Sequence, residues 1–344
     1  MSNWTHIARA CWGGVEVVSE APLAGDASHR SYVRLHLQGP DCPPSAIGMV
    51  LPEPTAEDAP ELPFVNVQRF LAASGTPVPQ IFAARDRDLG LLLLEDLGDR
   101  SLAATLLDPG TTAGEASRLL RETASLVARW AGLDPRQGRD CVAYGRRHDE
   151  ALIRRELDMV LSHGLAPSDQ GPARSPNSDP EAREALSRLG TQLASQPQRL
   201  MHRDFHAWNL HVDPQGKLRV IDFQDAMLGP ATYDLASLCT DRNSREFMTP
   251  EREATLLEQF AEALAASDPT LYKDPGLLRR DYATSVAFRT LRVIGRFRFL
   301  AIEEANGNYL RYIPTMAQET RRALEVLGDQ NLARILADRS EYFA

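Results

Sequence analysis

The first ninety-odd residues read mainly as strands. Residues 15–19 and Ser31–Gln38 flank the small-residue stretch 23–29, a pattern that predicts a β-hairpin. Residues 47–51 predict a further strand, and the Pro- and Glu-rich stretch 52–63 predicts a loop. Phe64, Val67, Phe70 and Leu71 instead recur at helical spacing, so residues 64–74 read as a helix that Gly75-Thr-Pro-Val-Pro stops. Two strands come next, 81–84 and, across the Gly90 turn, 89–95. The four consecutive leucines 91–94 predict burial on both faces.

From Ser101 the pattern is helical. Helices are expected at 115–133, 150–163, 181–195, 252–267, 275–304 and 313–327. Residues 166–180, dense in Pro, Ser and Asp, predict a mobile loop inside this helical part, and 200–220 predict short strands around a loop. The expectation is an α+β, two-lobed fold. A small β-rich N-terminal lobe (residues 1–95) joins a larger helical lobe (96–344) near Glu95 and leaves a cleft, and 344 residues suffice for both. No internal repeat is visible.

Charge and cysteine usage narrow the function classes. A net charge of −9 argues against nucleic acid as the main partner, because phosphate backbones need a basic surface. The four cysteines are scattered, with no CxxC pair, which predicts free thiols in a reducing cytoplasm. The N-terminal stretch lacks a basic segment followed by a sustained apolar one, and no window nears the ~20 apolar residues of a membrane span. No nucleic acid and no membrane are therefore expected as partners, and a monomer or weak dimer is the working assumption.

The strongest chemical signal lies between Leu200 and Asp225. His202-Arg203-Asp204 is followed five residues on by Asn209, and Asp222-Phe223 ends a later strand. Phosphoryl transfer explains each piece. Asp204 supplies the carboxylate that orients or deprotonates an acceptor hydroxyl. Asn209 and Asp222 supply the amide and carboxylate oxygens that Mg²⁺ prefers, on loops joined by a hairpin turn at 213–216. His202 is expected to pack under the loop and hold its backbone. A rival reading gathers His202, Asp204, His206 and His211 as a metal cluster, although no H-E-x-x-H helix pattern is present.

This stretch resembles the aminoglycoside phosphotransferase/choline kinase superfamily, relatives of the protein kinases. More narrowly the chain is similar to the bacterial anomeric N-acetylmuramate/N-acetylglucosamine kinases. The closer match rests on Gly25-Asp-Ala-Ser-His-Arg with Tyr32 and Arg34, on Phe64-Val-Asn-Val before Gly75-Thr-Pro-Val-Pro, and on Leu92-Leu-Leu-Glu-Asp-Leu-Gly-Asp. Ile221-Asp-Phe-Gln-Asp with Tyr233-Asp-Leu, and Phe288-Arg-Thr-Leu-Arg-Val-Ile-Gly-Arg-Phe, complete it. The resemblance implies a protein-kinase-like fold and the use of ATP and Mg²⁺. It implies that Gly25, Asp26, Ala27 and Ser28 cover the phosphates, that Glu95–Leu97 (with Asp96 between) form the adenine hinge, and that Asp234 anchors the catalytic loop with Arg203 as a support. Small residues at 25–28 agree, since they let backbone N–H groups approach phosphate oxygens.

The expected third strand carries no Lys, where protein kinases use one to grip the phosphates. Arg34, with Arg30 in reserve, is the proposed replacement. For the acceptor, the resemblance points to a small-molecule sugar whose anomeric hydroxyl becomes the 1-phosphate, feeding UDP-sugar synthesis and cell-wall recycling. Glu156, Asp225 and Arg289 (with Arg292 three residues on) are the candidate sugar contacts, the arginines suiting an acidic substituent. Near Glu156 the family's Phe and Trp correspond to Val160 and His163 here, which reshapes that pocket. Two alternatives stay open: a kinase of another small alcohol, aminoglycoside or choline-like, and a catalytically dead kinase fold that binds nucleotide.

Overall fold

Ser2 and Gly13 bracket the first element, α1 (Asn3–Trp12), a helix in a region whose pattern predicts strands. Ser2 Oγ accepts from Thr5 N at 3.4 Å and Gly13 takes φ 60° at the C-terminal end. Trp4, Ile7 and Ala8 bury one face of α1, a helical spacing that the strand reading misses. In the computed structural model, residues 2–23, 30–56, 58–133, 138–165, 173 and 175–344 are described.

The expected strands form, as β1 (Glu16–Leu23), β2 (Ser31–Gln38) and β3 (Ser45–Val50), then, after helix α2 (Pro63–Ala73), β4 (Ile81–Arg85) and β5 (Leu91–Glu95). They pair antiparallel in the order β1-β2-β3-β5-β4. The leucines of β5 are buried, as their unbroken run predicts. Trp4, Ile7, Val15, Leu35, Ala46 and Leu93 share one core between α1 and the sheet. Gly48 is needed there: a Cβ would lie 2.6 Å from the Trp4 ring.

The helical part begins with α3 (Leu102–Leu107), α4 (Ala113–Ala131) and α5 (Glu150–Met159), which runs into a π-helical turn at Val160–Gly164. Next come α6 (Pro180–Ala194), β6 (Gln198–Met201), β7 (Leu210–Val212), β8 (Leu218–Val220) and β9 (Met227–Pro230). The chain continues through α7 (Tyr233–Thr240), α8 (Pro250–Ser267), α9 (Pro275–Glu303), α10 (Ile313–Leu327) and α11 (Gln330–Arg339). Asp149, Asp179, Thr249 and Asp274 cap α5, α6, α8 and α9 through their side-chain oxygens. Among the described residues no helix is long and apolar enough to cross a membrane.

The chain divides into two compact units, residues 1–100 with 211–224, and residues 101–210 with 225–344. The first unit thus runs past Glu95 and takes in most of the β7–β8 ribbon. Val212 N donates to Arg100 O and Val220 N to Pro77 O, both at 2.8 Å, which fastens the ribbon to the sheet-bearing unit.

Candidate active site

β6 pairs with β9 from Gln198↔Pro230 to Met201↔Met227 and delivers the chain into the loop 202–209. His202 is 1% exposed, with its ring 5.4 Å from Trp130 and 5.7 Å from Phe205. Arg203 holds φ 82°, a posture that costs a non-glycine residue about 1 kcal/mol or more unless its surroundings enforce it. Asp234, in the first turn of α7, enforces it: its carboxylate accepts from His202 N at 2.6 Å and Arg203 N at 2.9 Å. Burial pushes the Asp234 carboxyl up, His202 and the two amides pull it back, and it settles at about 6. Asp234 thus holds the backbone at His202 and Arg203, and the His202 ring packs beside Trp130 and Phe205.

Arg203 puts its side chain on Glu156, Nη2 to Oε1 at 3.1 Å. Glu156 also takes His148 Nε2 at 2.8 Å on Oε2 and Arg292 Nε at 3.0 Å on Oε1. The expectation that Glu156 reads sugar hydroxyls changes here: the carboxylate is 8% exposed and enclosed by these three cations and donors. Burial alone would raise its pKa, but Arg292, His148 and Arg203 outweigh it and hold the carboxyl at about 2.

Arg292 is the link that sequence reasoning ranks too low. Its Nη1 reaches Asp204 Oδ1 at 3.5 Å and donates to Tyr233 Oη at 3.3 Å. Asp204 keeps 41% of its side chain open, so it can meet an incoming hydroxyl. Desolvation by the loop pushes its carboxyl up, yet Arg292, His206, Arg203 and Arg289 bring it to about 2, and it stays ionised at neutral pH. Asn209 Nδ2 donates to the Asp204 carbonyl at 2.9 Å, which sets the orientation of its amide.

Arg289, expected at the sugar, is 2% exposed and bonded to Asp241 Oδ1 at 2.8 Å and Thr240 O at 3.2 Å. It is an internal tie between α9 and the end of α7. The spacing of Arg289 and Arg292 is legible in the sequence, but not which of them the rotation of α9 turns inward. His148 and Asp241 carry no signal, because neither lies in a motif.

Within the sheet-bearing unit, Asp222 is exposed, holds φ 63°, and takes the Gln224 amide at 2.7 Å. Asp225, which begins the next stretch of the other unit, is exposed. Arg34 lies opposite Ile47 of β3, the strand without a Lys. Its guanidinium makes four hydrogen bonds, two to Asp96 (2.7 and 3.1 Å) and two to Asp99 (2.8 and 2.7 Å). This departs from the expected phosphate cation: two carboxylates occupy the fork, and the residue braces segment 96–99. Arg30 lies over the Phe64 ring at 5.9 Å. Glu95 receives both ends of the Arg219 guanidinium and the Gln80 amide, and Leu97 is buried. The Gly25–Ser28 phosphate loop falls at 24–29 and lies outside the described residues, as does most of 166–174. His211 Nδ1 meets Gly98 O at 3.1 Å, and among the described residues no group of three or more His, Cys, Asp or Glu is placed to hold a metal.

A five-stranded antiparallel sheet unit, a largely helical unit and a half-open Asp204 carboxylate in the loop 202–209 are what a phosphotransferase of protein-kinase-like fold presents, and likeness to known proteins places the chain in that class. The sequence model of the phosphotransferase enzyme family matches residues 19–278, and the chain belongs to that family. It is 32% identical to an N-acetylmuramate/N-acetylglucosamine kinase of Pseudomonas aeruginosa over 88% of this chain and 83% of that one. It is 28% identical to a kinase of the same name from Caulobacter vibrioides over 87% and 86%. Among solved structures, a choline kinase from Streptococcus pneumoniae shares the fold at a TM-score of 0.53 and 16% identity, over 91% of this chain and 94% of that one.

Proposed function

We propose that the protein transfers the γ-phosphoryl group of ATP to the anomeric hydroxyl of N-acetylmuramate or N-acetylglucosamine, giving the sugar 1-phosphate and ADP. The observation that carries this reading is the near-full-length likeness to kinases bearing that name. In this reading Asp204 accepts a hydrogen bond from the anomeric O–H and aims the oxygen at phosphorus. As the new O–P bond forms and the bond to the ADP oxygen breaks, the proton passes to the Asp204 carboxylate. A carboxyl held near 2 is a weak base, so its main work is orientation, with proton transfer late. Asn209 and Asp222 offer an amide and a carboxylate oxygen, a donor set that fits Mg²⁺. Bound there, the ion would neutralise charge on the phosphates. The chain retains all three residues, which speaks for an active enzyme over a nucleotide-binding relic.

ATP consumption with Mg²⁺ across free sugars, their 1-O-methyl glycosides and amino alcohols tests the proposal. Turnover is expected on free N-acetylated sugars and absent on the methyl glycosides. Turnover on acceptors blocked at the anomeric oxygen sinks the assignment.

A further inference from the structure

Among the described residues four large apolar side chains stand exposed, Val18, Trp208, Leu277 and Val326, and Trp208 is the aromatic one. It sits inside the loop that carries Asp204, directly before Asn209, with 37% of its surface open. An indole in this place leaves a large apolar face in water, where a polar residue would serve a simple turn equally well. Its posture is built from below. The Arg242 guanidinium lies over the ring at 5.7 Å, Arg242 Nε donates to Asp241 Oδ2 at 3.2 Å, and Asp241 is locked to the buried Arg289 at 2.8 Å. That series of charges ties the indole to α9, and the cation over the aromatic face is itself attractive. The next residue, Asn209, donates its side-chain amide to the Asp204 carbonyl at 2.9 Å, which ties the platform's loop to the chemistry.

We propose that Trp208 is an acceptor platform, against which the apolar C–H face of the sugar ring packs while its anomeric hydroxyl meets Asp204. The inference rests on the sugar-kinase reading and adds a specificity-determining residue to it. A pyranose has such an apolar face and a small ammonium alcohol lacks it. Tryptophan supplies wide contact area at low conformational cost. The role also gives the buried Arg289 a use, holding Asp241 beneath the platform.

Steady-state kinetics on the full chain, with N-acetylglucosamine and N-acetylmuramate as varied acceptors, provide the test. Trp208→Leu keeps bulk and removes the aromatic face. It is expected to raise acceptor KM about tenfold, while kcat and the KM for ATP stay within about twofold. Trp208→Phe is expected to recover most of the acceptor KM. Sugar titration should change tryptophan emission in the wild type and leave it unchanged in Trp208→Phe. Unaltered acceptor KM in Trp208→Leu, with sugars turned over by the wild type, overturns the platform alone. Wild-type turnover of amino alcohols and of no sugar removes the sugar-kinase reading, and the platform falls with it. If Trp208→Leu does not fold, a sugar-induced emission change that persists in Trp208→Phe overturns the proposal.

Discussion

Two motif residues share a backbone posture that side chains other than glycine rarely adopt, Arg203 at φ 82° and Asp222 at φ 63°. Their surroundings could hardly differ more. At Arg203 a buried carboxylate grips both adjoining amides, and the side chain is seated on Glu156. At Asp222 the residue is exposed, and its carboxylate takes the amide of Gln224, two residues along. The first turn is imposed by tertiary structure and fixes the residue after it, Asp204. The second is a local turn that leaves its carboxylate accessible. A proposed orienting group and a proposed metal ligand call for this division, since the former needs rigidity and the latter access.

The comparison can be broken most sharply at Asp204. Asp204→Asn is expected to lower kcat about 10²–10⁴-fold while the protein still melts cooperatively, as measured by acceptor kinetics and a melting curve. Asp234→Ala attacks the support instead. One buried and one half-buried amide lose their acceptor, and stability should fall by about 2–4 kcal/mol in denaturant titration, with activity falling in parallel. Asp222→Asn should spare stability to within about 0.5 kcal/mol and raise the Mg²⁺ midpoint of activity at least about tenfold. A stability loss there equal to that of Asp234→Ala would erase the contrast. The smallest expected effect is a change of slope. Glu156 titrates at about 2 in the fold against an ordinary 4.5, so the folded state binds fewer protons in that window. Its contribution is complete above pH 4.5 and drains as pH falls towards 2. Glu156→Gln should therefore flatten acid denaturation across that interval.

Much of this molecule is legible in its sequence. The strands, α2, the long α9 and the loop 202–209 emerge from periodicity and turn chemistry, because those signals are local. The short helices α3, α7 and α11 are missed, and so is α1 although Ser2 and Gly13 mark its ends, since its apolar spacing is short and the residues after it are dominated by strands. The π-helical turn after α5 has no local signature; it forms where Gly295 of α9 comes against Val160. Charge partners are the least legible part. Arg34 with Asp96 and Asp99, and Arg292 between Glu156 and Asp204, join residues about sixty or more positions apart. Which carboxylate neutralises which arginine depends on helix rotation and sheet register, which no single segment specifies.

Helix α9 makes its decisive contacts from Ser285 (on Thr232), Arg289, Arg292 and Gly295, spaced as one helical face. At Gly295 the fit is tight, a Cβ standing 3.2 Å from the Val160 backbone, so any side chain there would push that backbone away by a few tenths of an ångström. The lineage of this helix is consequently constrained in length more tightly than in composition. A residue inserted between Ser285 and Gly295 would rotate everything beyond it by about 100°, tearing Arg292 from Asp204 and turning a bulkier side chain onto Val160. Evolution can repaint this helix by substitution, but insertions and deletions must accumulate at its two ends.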